Sequence, residues 1–88
     1  MTTGQATDRA HAVYAHIDRR VLEAPVAWRT PREYTNIVNQ EPAFPRWPWD
    51  LVNEAKVALR LRALRAEGDV ESRPNPSDAR STQFRVCT

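Results

Sequence analysis

Lys56, Arg60, Arg62 and Arg65 fall within "KVALRLRALR", residues 56–65, with no acid among them. Ammonium and guanidinium groups on one short segment suit phosphate recognition, and a guanidinium can also form two hydrogen bonds to a guanine edge. The other reactive residue types offer less. His11 and His16 stand five apart, so on a helix they project in different directions and make a poor metal pair. One is expected at the surface and the other partly buried. Asp69 and Glu71 flank Val70 at strand spacing and read as a solvated edge rather than an acid–base pair. Cys87, the only cysteine, reads as a bland terminal thiol and leaves no internal disulfide or cysteine-rich zinc site. There is no glycine-rich phosphate loop and no serine or cysteine at a recognisable spacing from a histidine. The expectation is therefore a protein that is not an enzyme and holds no metal and no cofactor.

The elements that position those cations must come from a short chain. Its 88 residues, 41 % hydrophobic and 27 % charged with only two glycines, allow one small soluble domain with a single modest core. The opening "MTTGQATDRAHA" has neither a basic n-region nor an apolar h-region, and no segment approaches the roughly 18 apolar residues that span a bilayer. A cytoplasmic location without a membrane partner is expected. Charge is uneven: residues 1–55 carry six arginines against seven acids, and residues 56–88 carry Lys56 and six arginines against four acids. The second part is thus the basic one. Twelve arginines to one lysine fit a GC-rich genome as well as a need for guanidinium chemistry.

Residues 1–6 are expected to be disordered and 7–88 to form the domain. Thr7 or Asp8 can cap a first helix of about 8–23, in which Ala10, Val13, Tyr14, Ile17 and Val21 make one apolar stripe ending near Pro25. "VAW", residues 26–28, is an extended linker able to pair as a minor strand, with Trp28 anchoring it to the core. "TPRE", residues 30–33, is the clearest local signal: Thr30 caps, Pro31 takes the first helical position and Glu33 completes a capping box. That second helix, about 31–40, has a narrow apolar face of Tyr34, Ile37 and Val38. Asp50 caps a third helix of about 50–67, stopped by Gly68. "VESR" (70–73) and "TQFRV" (82–86) alternate as half-buried strands, joined by the turn-rich "PNPSDARS". The fold class is mainly α with a small β-hairpin.

This order resembles a winged helix-turn-helix domain, three helices plus a two-stranded wing. The stretch from Val57 to Thr88 is similar to the recognition helix and wing of MarR- or GntR-type transcription regulators, through Leu64, Gly68, Val70 and the returning strand at Phe84. The resemblance implies a double-stranded DNA partner and a bacterial or phage regulator of transcription or recombination. Two features depart from the pattern: the insert between the second and third helices, and the lack of a long dimerisation helix outside the domain.

Placed at roughly 100° per residue, the third helix has two apolar stripes. Val57, Leu61 and Leu64 form one; Val52, Ala55, Leu59, Ala63 and Ala66 form another, nearly opposite. Lys56 and Arg60 lie on one flank between them, Arg62 and Arg65 on the other. Either both stripes are buried, or the one around Leu59 faces a homodimer mate or another protein. For DNA, Asn53 and the Lys56/Arg60 flank would enter the groove, with Glu54 tolerated only opposite a cytosine amino group. Arg32, Arg46, Arg73 and Arg80 would hold the backbone.

The insert "EPAFPRWPWDLV", residues 41–52, spaces Pro42, Pro45 and Pro48 three apart and keeps three readings open. It is a polyproline ligand, a brace folding Phe44, Trp47 and Trp49 over the core, or an exposed Trp/Arg surface. On the last reading the chain is a protein-interaction module, a phage-encoded inhibitor or adaptor, working through Phe44, Trp47, Trp49 or Leu59.

Overall fold

The structure, a computed structural model, describes residues 2–41 and 52–87. Three helices and a two-stranded antiparallel sheet follow in order: α1 Thr2–Glu23, α2 Pro31–Asn39, α3 Glu54–Glu67, β1 Val70–Asn75 and β2 Asp78–Val86. The fold is mainly α with a small β-hairpin, as the sequence predicts. Phe44, Arg46, Trp47, Trp49 and the expected cap Asp50 lie outside the described residues.

Helix α1 begins at Thr2, where a disordered end and a cap at Thr7 or Asp8 are expected. No proline interrupts the run from Thr2 to Glu23. Ile17 and Val21 are fully buried, with Val13 and Tyr14 packed beside them. His11 is exposed, whereas His16 is buried and its Nε2 lies 3.2 Å from the Val38 carbonyl.

The capping box at α2 is formed in full: Glu33 N–H donates to Thr30 Oγ1 at 3.3 Å, and Thr30 N–H donates to the Glu33 carboxylate at 3.1 Å. It orients α2 so that Tyr34 and Val38 are buried. At α3 the cap is Asn53, whose side chain accepts from Lys56 N–H at 2.9 Å. The sequence favours Asp50 because aspartate is as good a cap as asparagine; Val52, buried at the helix entry, sets the actual start. Gly68 ends α3 in the left-handed region at φ 88°, and Asp69 N–H closes back onto the Leu64 carbonyl at 2.9 Å.

The hairpin is longer than the strand alternation predicts. Most of "PNPSDARS" belongs to its arms, leaving Pro76 and Ser77 as the turn. Pro74 is tolerated because β1 pairs on one side only, and the register shifts between Pro74 and Asn75. The linker after α1 adds one rung: Arg29 and Phe84 exchange both backbone hydrogen bonds, at 3.0 and 2.7 Å. Tyr34 Oη donates to the same Phe84 carbonyl at 3.1 Å, and burial pushes its phenol pKa up.

The core joins α1, α2, one stripe of α3 and the hairpin through Val70 and Phe84. Only Val57, Leu61 and Leu64 of α3 are fully inside; of the second stripe Val52 is buried, while Ala55 and Ala66 are exposed and Leu59 is 50 % exposed. Asn39 fastens the entry to α3. Its Nδ2 donates to the Val52 carbonyl at 2.9 Å and its Oδ1 accepts from Val52 N–H at 3.0 Å. Asn39→Ala leaves both backbone groups unpaired and is expected to cost about 1–3 kcal/mol, read as a lower urea midpoint at unchanged slope.

Candidate functional site

The arginines divide by what they touch. Arg19 pairs with Glu23 and Glu41, and Arg20 with Glu41; hydrogen bonding and charge from Arg19 hold the Glu41 carboxyl below its ordinary range. Arg60 sends Nε and Nη2 to the two oxygens of Asp18 at 3.0 and 2.7 Å, with its guanidinium 5.2 Å from the Tyr14 ring centre. Its pKa is raised, chiefly by the hydrogen bond to Asp18. Arg85 pairs with Glu71, the carboxylate that its spacing from Asp69 placed on a strand edge.

Among the described residues, Arg29, Arg32, Lys56, Arg62, Arg65, Arg73 and Arg80 have no acid within ion-pair distance. Of these, Arg62 and Arg80 belong to one face of the fold, made by the start of α2, one flank of α3 and the β2 arm of the hairpin, and Arg32 is exposed next to Pro31 at its edge. A groove of about 360 Å³ lies in that face, between Pro31, the α3 residues Glu54, Ala58 and Arg62, and Arg80 and Thr82 of β2. Arg62 and Arg80 approach it from opposite walls. Glu54 is the acid there, in the first turn of α3, where it complements the positive end of the helix.

Of the residues expected to meet DNA, Arg80 lines this face and Arg32 is exposed next to Pro31 at its rim, while Lys56 is exposed on the other flank of α3, that of Arg60. Asn53 is exposed but its Oδ1 is committed to capping α3. Arg73 is partly engaged: Nε donates to Gln83 at 2.9 Å, and the guanidinium lies 4.4 Å from the Trp28 ring centre. Arg60 is removed from the group, because its Nε and Nη2 donate to Asp18 of α1. The flank open to the groove is that of Arg62, which the choice of Lys56 and Arg60 missed. A helical projection separates the two flanks, but which one faces the hairpin depends on how α1 crosses α3, a tertiary fact.

Trp28 also departs from its expected place in the core. It is half-buried and lies against Arg73 and Arg85, the latter 4.5 Å from its ring centre. In the observed register Glu71, Arg73, Gln83 and Arg85 share one side of the hairpin, opposite buried Phe84 and Val70. Trp28 therefore stiffens the solvent side of the sheet.

Among the described residues no cluster of three or more His, Cys, Asp or Glu could hold a metal ion, and no helix is long and apolar enough to cross a membrane. No protein-family model, curated protein or solved structure matches the chain.

The division of cations has a measurable signature in stability. Arg60→Ala strips a partly buried carboxylate of its partner and is expected to cost about 1–2 kcal/mol after solvent screening. Arg62→Ala, on the open face, changes stability by no more than about 0.5 kcal/mol. Urea denaturation of the two variants beside the parent protein reads the difference.

Proposed function

We propose that this chain is a small winged-helix DNA-binding protein, a cytoplasmic regulator of transcription or recombination of bacterial or phage type. The observation that carries the reading is the groove between α3 and β2, walled by Arg62 and Arg80 with no acid at ion-pair distance from either among the described residues and with Arg32 exposed beside its Pro31 rim, while Arg19, Arg20, Arg60 and Arg85 are each paired with an acid. A polyanion is the natural complement of such a face, since each phosphate it neutralises releases condensed counterions. The shape of the face supports the same reading. Helix α3 acts as the recognition helix in the major groove, the hairpin as the wing, and Arg32 at the start of α2 as a phosphate anchor. Arg80 extends the contact along the backbone from the wing. The role is binding, not catalysis.

A second reading, the protein-interaction module, draws on Leu59, which is half exposed in the middle of α3. It treats the same helix face as a contact for a homodimer mate or another protein, as a phage-encoded inhibitor or adaptor would present.

Titration of a mixed-sequence duplex at rising salt, with solution mass recorded in parallel, tests the first reading. Affinity is expected to fall linearly on a log–log plot, and Arg62→Ala and Arg80→Ala should each reduce the slope by about one. Absent or salt-insensitive binding rejects it.

A further inference from the structure

Resting on the DNA-binding reading, we infer that α3 recognises thymine through its C5-methyl group, with Leu59 as the main contact. The outward surface of α3 consists of Ala55, Leu59 and Ala66 along its centre, with Lys56 on one side and Arg62 on the other. Leu59 is 50 % exposed at mid-helix, so this is the side chain that a groove floor would meet first.

What base edges can such a surface satisfy? In the major groove every base presents hydrogen-bonding groups, and only thymine adds an apolar one, the C5 methyl. The helix "EAKVALRLRALRAE", residues 54–67, contains no Asn, Gln, Ser or Thr. It therefore lacks the amide side chains that pair with the N6 and N7 positions of adenine. Arg62 and Lys56 can donate to guanine, to adenine N7 or to thymine O4, and Glu54 can accept from a cytosine or adenine amino group, so these contacts discriminate poorly and the C5 methyl is the feature by which this helix can single out thymine. Seating Leu59 against any other edge would bury a polar group without a partner, which is unfavourable. Seating it against a methyl removes two apolar surfaces from water together. The cations on both flanks select the occupant: a polyanion fits a neutral strip bordered by Lys56 and Arg62, and an apolar protein patch does not require them.

The test starts from a duplex pool with a randomised centre, selected on the full-length protein. The enriched duplex is then made again with deoxyuridine in place of thymidine, which deletes the methyl groups and keeps every Watson–Crick pair. The enriched sequence should contain thymine, and its deoxyuridine form should bind about fourfold more weakly for each buried methyl lost. Leu59→Ala, a change at a half-exposed position, should bind both forms nearly alike while retaining the salt dependence of the parent. Equal affinity of the parent protein for the two forms, or an enriched sequence without thymine, overturns the inference and leaves the DNA-binding reading intact. Absence of binding to any duplex overturns both. Should Leu59→Asp convert a dimer into a monomer while the parent binds thymine and uracil forms equally, the face is a protein interface and the inference fails.

Discussion

The hairpin of this protein depends on one carbonyl. A two-stranded ribbon is marginal by itself in water, and here the Phe84 C=O accepts from Arg29 N–H and from Tyr34 Oη at once. The first bond adds the linker as a rung beside β2, and the second pins that rung to α2. Phe84 and Val70 then fill the core from the same strands. Because Arg29 directly precedes the capping box at Thr30, the start of α2 and the hairpin arm are held in fixed relation. The groove between α3 and β2 exists because that relation is rigid.

Acid placement, more than cation placement, shapes the surface. The chain has arginine almost everywhere, so an electrostatic face can only be produced by cancelling charge elsewhere. Asp18, Glu23, Glu41 and Glu71 do this on α1, on the end of α2 and on the near part of the hairpin. Asp18 has the sharpest effect: by engaging Arg60 through two hydrogen bonds it decides that the flank of α3 carrying Arg62 is the one left available. Arg60 thereby serves the α1–α3 junction, its stem and guanidinium covering Tyr14.

Local rules made much of the fold legible. Thr30, Pro31 and Glu33 form a self-contained motif, Gly68 supplies the only positive φ the described helices need, and Val70, Phe84 and Val86 alternate as strand residues. The failures share a cause, which is competition between equivalent local signals decided by distant packing. Asp50 and Asn53 are both competent caps, and the buried Val52 favours the later one. Pro74 and Asn75 read as loop, yet an edge strand can hold them. Nothing near Arg60 or Arg62 in sequence says which will meet Asp18, more than forty residues earlier. Trp28 suggests a core anchor by composition alone, and two arginines from the hairpin claim it instead.

The double hydrogen bond between Asn39 and Val52 has a consequence for chain closure. It ties the last residue of α2 to Val52, buried just before α3, and so fixes the end of one helix against the entry to the next. Loop closure grows costlier only slowly with length, by about 0.6 kcal/mol per doubling. In a chain with such a tie, most of the cost of closing the connection between α2 and α3 is met by one side chain, so the entry to α3 is set by Asn39 at the end of α2.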